Sequence, residues 1–329
     1  MIVSRNWPRI AAFVIALAGC TLTEAGDKQP LATEAGSPIR LVVPFPAGGS
    51  ADIVARLIAK PLGMALECPV VVDNKPGGDG AIAAETVASA PADGRTLFFA
   101  TYGAMSAVPY MHKAVRYDPS KDFTAVARVG QFSMFLFVNP SLPVNDVRQL
   151  VNYSRAHEGE LSYGTGNVAS VIMGAALNES KHLQMTAVPY KGEVPAMNDF
   201  LAGRIQLMFA TPTNALPFVR EGKLRALASM SDRRNPLLPQ VPSWKEAGMQ
   251  ELAVQPWAGV FGPAHMQTEQ VKKINKAINA ILQQNDVLKE FQQQGFEAHA
   301  STPEQFEAFA IAQSQAWKLA VQQSGLRAE

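Results

Sequence analysis

The stretch IRLVVPFPAGGSADIVARLIAKPLGMALE, residues 39–67, decides the fold. It starts with a short apolar run of β type, continues through a loop rich in Pro and Gly, and ends in apolar residues spaced three and four apart. This change of period predicts a strand, a glycine loop and a helix in succession. The same unit recurs in PVVVDNKPGGDGAIAAETVASA, residues 69–90. Such alternation is typical of an α/β protein with a parallel, doubly wound sheet.

The alternation is interrupted once, by two adjacent β-rich runs at residues 124–129 and 134–138. It restarts beyond them, and the length of 329 residues suits two domains. We therefore predict two α/β lobes, with lobe 1 formed by residues 37–134 and 256–329 and lobe 2 by residues 135–255. Two chain crossings favour a hinge, and a small ligand would bind in the cleft between the lobes.

The N-terminus has the pattern of a secretory signal peptide. Arg5 and Arg9 precede an apolar run at residues 10–17, which is followed by small residues. The run is too short to cross a bilayer, which takes roughly 20 helical residues. We predict that residues 1–19 are removed.

The tetrapeptide LAGC, which ends at Cys20, matches the lipobox of bacterial lipoproteins. It predicts diacylglycerol on the Cys20 thiol and a membrane anchor for the mature protein. Residues 20–36 would then form a flexible tether. Ordinary cleavage, with Cys20 as an unmodified thiol, is the alternative.

Composition and motifs exclude several functional classes. Lys and Arg number 29 against 28 acidic residues, with no basic block, so no nucleic-acid partner is expected. Two Cys and five His show no metal-ligand spacing. Catalytic motifs such as G-x-S-x-G and the P-loop are absent. A weak dinucleotide fingerprint at residues 164–169 lacks its downstream acidic residue. We expect no metal, no cofactor, no catalytic residue and no enzymatic activity.

Two loops could hold an anion. Residues 46–52 and residues 164–170 each combine glycines with a predicted helix start. Free N–H groups at a helix N-terminus bind a carboxylate or phosphate without Lys or Arg. A plain turn, with Asp52 as a first-turn acid, is the alternative for the first loop.

Taken in order, nine segments resemble the tripartite tricarboxylate transporter substrate-binding family, also called the Bug or TctC family of extracytoplasmic solute receptors. The resemblance covers about residues 39–322. The segments are IRLVVPFPAGGSAD, VVVDNKPGGDGAIAAE, PADGRTL, YDPSKDFTAVA, LSYGTGN, VPYKGEVPAMNDFLAGRIQLMF, GKLRALA, VPSWKEAG and WAGVFGPA.

This resemblance implies the two-lobed periplasmic-binding-protein ("Venus flytrap") fold, with a small carboxylate bound in the cleft between the lobes. By position it assigns ligand binding to residues in four loops. They are Phe45, Ala47, Gly48, Gly49, Ser50 and Asp52; Thr101, Tyr102 and Gly103; Thr165, Gly166, Asn167 and Ser170; and Ala210, Thr211 and Pro212.

The chain departs from the family pattern on the predicted second-lobe helix. Ile172, Met173 and Ala176 stand where relatives often carry His, Leu and an acidic residue. We therefore expect a less polar cleft and a ligand with an apolar or aromatic body behind its carboxylate.

The expected function is capture of an organic acid in the periplasm and its delivery to integral-membrane carrier subunits, by a monomer held at the membrane through its lipid. Presentation of the ligand to a sensor kinase is an alternative. A periplasmic hydrolase on the same scaffold is another, from a different functional class.

Overall fold

The computed structural model describes residues 37–231, 233–249, 254 and 256–326. The predicted signal peptide, the tether and the lipidated Cys20 lie outside the described residues. The first and last residues of the predicted lobes remain predictions, and the sheets below are described by their strands.

The first sheet has six strands, in the order β11-β4-β10-β3-β1-β2. Its centre is formed by apolar runs, and every residue of β3 is buried. The strands are β1 Ile39–Val43, β2 Val70–Asn74, β3 Thr96–Thr101, β4 Phe123–Phe132, β10 Trp257–Pro263 and β11 Phe296–Ala298. We call the part of the molecule built on this sheet lobe 1.

The second sheet has five strands, in the order β7-β6-β8-β5-β9. The strands are β5 Phe135–Val138, β6 Ser162–Thr165, β7 Thr186–Pro189, β8 Leu207–Ala210 and β9 Arg225–Ser229. The part of the molecule built on it is lobe 2. The chain thus passes from the first sheet to the second between β4 and β5, and it returns between β9 and β10.

Both sheets are mixed, so the predicted parallel pairing is confirmed for only part of each sheet. The pairs β1–β2, β1–β3, β6–β7 and β6–β8 are parallel, as strand-helix-strand units require. The strands next to the crossings, β4, β5, β9 and β10, pair antiparallel with their neighbours. β10 runs against β3 because it enters the first sheet from the opposite lobe.

Ten α-helices cover the sheets in the described residues. They are α1 Ser50–Leu66, α2 Ala81–Ala88, α3 Val108–Met111, α4 Val147–Ala156, α5 Val168–Lys181, α6 Glu193–Leu201, α7 Pro212–Arg220, α8 Thr268–Ile281, α9 Asn285–Gln293 and α10 Pro303–Gln323. A π-helical turn, Gly103–Ala107, joins β3 to α3. In the part of the chain that the structure describes, no helix is both long and apolar enough to cross a bilayer.

The two lobes touch each other across the cleft. The Tyr102 hydroxyl, at the end of β3, lies 3.2 Å from Asn167 Oδ1 of lobe 2. Thr213 Oγ1 of α7 donates to the Gln294 carbonyl of lobe 1 at 3.0 Å. The main core cluster also runs through both lobes, from Phe98 to Leu136.

Candidate functional site

A narrow cleft with a volume of about 50 Å³ lies between the lobes. Both crossings contribute to its wall, as do the loops that follow β1, β3, β6, β7 and β8. Its lining residues are Phe45, Pro46, Gly49, Ser50, Ala51, Thr101, Tyr102, Phe132, Met134, Gly166, Asn167, Gly192, Glu193, Val194, Pro195, Thr211 and Pro256.

On lobe 1, the cleft is closed by the N-terminus of α1. Gly49 is the N-cap, and Ser50 and Ala51 form the first turn at the cleft wall. Gly49 is extended and supplies no side-chain cap. The first N–H groups of a helix have no partner within it. The positive end of α1 therefore faces the cleft.

Asp52 stabilises this loop from behind. It is 2% exposed and does not line the cleft. Its carboxylate accepts from the Gly48 N–H, from Arg56 Nε and from Asn74 Nδ2, each at 2.9 Å. Burial acts to raise the pKa of Asp52, but these hydrogen bonds outweigh it and hold that pKa below its ordinary value. Asp52 thus stabilises the loop that forms this part of the cleft wall.

Thr101, at the end of β3, places an unsatisfied hydroxyl at the cleft wall. The residue is 1% exposed, and its Oγ1 has no hydrogen-bond partner. Buried polar atoms in native proteins are nearly always paired, so this hydroxyl is a candidate hydrogen-bond donor to a bound ligand. It belongs to the same lobe as the N-terminus of α1.

Tyr102 bridges the lobes. Its ring stacks on Trp317 of α10 with centroids 4.6 Å apart, and its hydroxyl accepts from the Ala169 N–H at 3.4 Å. Burial, reinforced by the negative charge of Glu193, raises the pKa of Tyr102. The hydroxyl is therefore neutral and available as a hydrogen-bond donor to Asn167.

On lobe 2, the N-terminus of α5 is already capped by its own residues. Asn167 Oδ1 accepts from the Ser170 N–H at 2.9 Å, and Ser170 Oγ lies 3.2 Å from the Asn167 N–H. This capping box, together with Tyr102, occupies N–H groups of the loop that was predicted to hold an anion. The two loops therefore differ. Lobe 1 has more of the hydrogen-bond donors that could hold an anion.

The polar group that lobe 2 presents to the cleft is Glu193, in the first turn of α6. Asn167 Nδ2 donates to Oε1 and Thr211 Oγ1 donates to Oε2, each at 2.7 Å. Burial raises the pKa of Glu193, although the hydrogen bonds from Thr211 and Asn167 act to lower it. Sequence reasoning missed this residue. Its only signal was an acid directly after the glycine of VPYKGEVP.

Gly166 permits the close approach of these loops. A Cβ there would lie 2.8 Å from the Glu193 backbone N and Cα and from the Gly192 carbonyl carbon. Gly192, with φ +127°, in turn places its Cα near Pro46 of lobe 1. Gly166 thus lets two loops of lobe 2 pack together, and Gly192 lets one of them approach Pro46 of lobe 1.

Several predicted site residues lie together in the cleft, and others lie behind it. Those at the wall are Phe45, Gly49, Ser50, Thr101, Tyr102, Gly166, Asn167 and Thr211. Those not at the wall are Ala47, Gly48, Asp52, Gly103, Thr165, Ser170, Ala210 and Pro212. For all of them, contact with a ligand remains a prediction.

Apolar side chains form the rest of the cleft, but not those named from the sequence. Ile172, Met173 and Ala176 are buried in the core and do not line it. The apolar residues at the wall include Phe45, Phe132, Met134, Val194 and Pro256. Among the described lining residues, Tyr102 and Glu193 alone are titratable, and none is Lys, Arg or His.

Comparison with known proteins gives consistent matches over nearly the whole chain. Residues 54–326 match the model of the tripartite tricarboxylate transporter family receptor. Protein BugT of Bordetella pertussis is 32% identical over 321 residues, which cover 95% of this chain and 98% of BugT.

Two solved structures share the fold. The R. palustris protein Rpa4515, solved with adipate, superposes with a TM-score of 0.85 at 31% identity, covering 89% of this chain and 98% of that one. The periplasmic binding protein BugD gives a TM-score of 0.83 at 30% identity, covering 89% and 99% of the two chains. These similarities are to binding proteins with the two-lobed fold.

Proposed function

The chain belongs to the tripartite tricarboxylate transporter receptor family, and on this premise we propose that it captures a small organic carboxylate in the cleft and delivers it to integral-membrane carrier subunits. It does so without covalent change to the ligand. Members of this family are periplasmic solute-binding receptors, and the adipate carried by the R. palustris relative is a carboxylate.

The observation that carries the proposal is the pairing of the α1 N-terminus with the orphaned Thr101 hydroxyl. Both lie at the lobe 1 wall of the cleft. A carboxylate there would accept hydrogen bonds from first-turn N–H groups and from Thr101 Oγ1. It would need no Lys or Arg, because the helix dipole supplies the positive potential.

The apolar wall supports a ligand with a hydrocarbon body. Phe132, Met134 and Pro256 belong to the two crossings and lie at the cleft together with Phe45. Burial of aliphatic or aromatic carbon against them contributes roughly 25 cal/mol per Å². A ligand that touches both lobes shifts the population toward the closed form, in which Tyr102 reaches Asn167.

The proposal is tested by titration calorimetry of the purified protein with adipate, hexanoate, benzoate and citrate. We expect at least one acid to bind, and Thr101→Val to weaken it by roughly tenfold, as loss of a hydrogen bond to a charged group requires. Thr86→Val, on helix α2 away from the cleft, is the matched control. Absence of binding by every acid, or unchanged affinity in Thr101→Val, would contradict the proposal.

The proposal extends to the ends and location of the mature protein. We infer that residues 1–19 are a signal peptide, that Cys20 carries lipid in the periplasm, and that residues 20–36 are a tether. Lobe 1 then comprises residues 37–134 and 256–329, and lobe 2 comprises residues 135–255. The sequence patterns support these assignments.

A further inference from the structure

The cleft of this anion receptor contains a carboxylate of its own. Glu193 lines the wall of lobe 2, opposite the α1 N-terminus and Thr101 on lobe 1. No basic side chain is present among the described lining residues to balance it. A charge removed from water without a partner is costly, so such a group needs a counter-charge or a proton.

The groups around Glu193 favour its ionised form. Asn167 Nδ2, Thr211 Oγ1 and the Thr211 backbone N–H all donate to it. An ionised carboxylate offers about four lone-pair sites, and a protonated one must donate from one oxygen. The three donors use all but one of these sites. The Asn167 amide N–H and the Thr211 backbone N–H can only donate, and of the three groups only the Thr211 hydroxyl could instead accept a hydrogen bond from a protonated Glu193. The remaining acceptor capacity is available to a donor in the cleft.

The two walls of the cleft therefore have opposite polarity. Lobe 1 offers hydrogen-bond donors and the positive end of α1. Lobe 2 has its α5 donors occupied by the capping box and offers the Glu193 carboxylate. Much of the remaining lining is apolar. A ligand that complements both walls carries negative charge at one end and positive charge at the other.

We propose that the ligand is a zwitterionic aminocarboxylate, with its carboxylate at the α1 N-terminus and Thr101 and its protonated amine at Glu193. This inference rests on the proposed function and names its ligand class. Glu193 then determines specificity, since it attracts an ammonium group and repels a second carboxylate. Phe45 and Phe132 pack against the hydrocarbon between the two charges.

A purely structural role for Glu193 is the competing explanation. An acid in the first turn of a helix interacts favourably with the helix dipole, and Glu193 also joins the loops of Asn167 and Thr211. Such a role predicts that its removal weakens every ligand alike. A role in specificity predicts opposite changes for ligands of opposite terminal charge.

The test is calorimetry at pH 7.5 with two sets of probes matched in carbon skeleton. One set is 6-aminohexanoate, adipate and hexanoate, and the other is 4-(aminomethyl)benzoate, terephthalate and 4-methylbenzoate. We expect an aminocarboxylate to bind wild-type protein about tenfold or more tighter than its matched diacid and monoacid, as a charge-assisted hydrogen bond provides. Glu193→Gln should remove this preference and raise the affinity for the diacid.

Glu193→Gln keeps the size and acceptor oxygen of the side chain, and Glu304→Gln is the control for loss of a first-turn acid elsewhere, on α10. Glu304→Gln should leave all affinities unchanged. A diacid that binds wild-type protein as tightly as its aminocarboxylate would overturn the proposal and indicate a protonated Glu193. So would equal loss of all probes in Glu193→Gln. If no probe of either set binds any variant, the proposed carboxylate receptor fails as well.

Discussion

Gly166 lets two loops of lobe 2 pack backbone to backbone at the cleft wall, and its replacement by Ala is a direct test of that packing. An added Cβ would lie 2.8 Å from three backbone atoms of residues 192 and 193. Backbone cannot rotate away as a side chain can, so the loop that carries Glu193 must move. The substitution adds one methyl group and no charge.

The expected loss of stability in Gly166→Ala follows from the kind of clash. Overpacking a filled site costs about 1 to 3 kcal/mol, and the upper part of that range applies where backbone must shift. For a chain of this size we expect the melting temperature to fall by roughly 2 to 6 °C. Ligand affinity should fall as well, since Glu193 and Asn167 no longer keep their 2.7 Å hydrogen bond.

The assay is differential scanning calorimetry of Gly166→Ala beside Gly49→Ala. At Gly49 the new Cβ would have one neighbour, the Pro46 carbonyl oxygen at 3.5 Å, and φ is −77°, so Ala fits. Ala lowers the entropy of the unfolded chain, and this offsets its weaker preference for the N-cap position. The free energy of unfolding of Gly49→Ala should therefore change by less than about 0.5 kcal/mol. If Gly166→Ala melts within 1 °C of wild-type protein, roughly the effect of less than 1 kcal/mol, the reasoning is refuted.

Three further changes probe other parts of the molecule. Tyr102→Phe leaves the Ala169 N–H without its partner, so we expect the free energy of the closed form to rise by about 1 to 3 kcal/mol and ligand affinity to fall at least fivefold in calorimetry; unchanged affinity would contradict the bridging role. The stability contributed by Asp52 is present above the unfolded-state pKa of about 3.9 and is lost as pH falls through its lower folded-state pKa. Asp52→Asn should therefore lower the melting temperature at pH 7 and converge with wild-type protein toward pH 2, whereas a constant difference across that range would exclude the charge as its cause. Radioactive palmitate should label the wild-type protein expressed in bacteria but not Cys20→Ser, and an unlabelled wild type would end the lipoprotein hypothesis.

Strands and helices that depend on a local hydrophobic pattern could be predicted from the sequence. The strand, loop and helix of residues 39–67 became β1 and α1, and the repeat of that unit at residues 69–90 became β2 and α2. The antiparallel entry of β10 depends on which lobe precedes it, which no local pattern records.

The sequence predicted which loops form the candidate site, but it did not predict that the site contains the carboxylate of Glu193. Gly49, Ser50, Gly166 and Asn167 were found because glycine loops before helices have a local signature. Asn167 and Ser170 also have the spacing of a capping box, and this could have shown that the α5 donors are occupied. Glu193 could not be placed, because its partners come from loops 26 and 18 residues away.

The stacking of Tyr102 on Trp317 also provides a fluorescence signal by which ligand capture should be measurable. Trp317 is fully buried in the described structure, and the ring that covers it is hydrogen-bonded to the opposite lobe. Separation of the lobes would break the hydrogen bond from Tyr102 to Asn167. The polarity around the indole of Trp317 would then change. The protein thus contains its own fluorophore for stopped-flow measurement of closure, and no dye needs to be attached near the cleft.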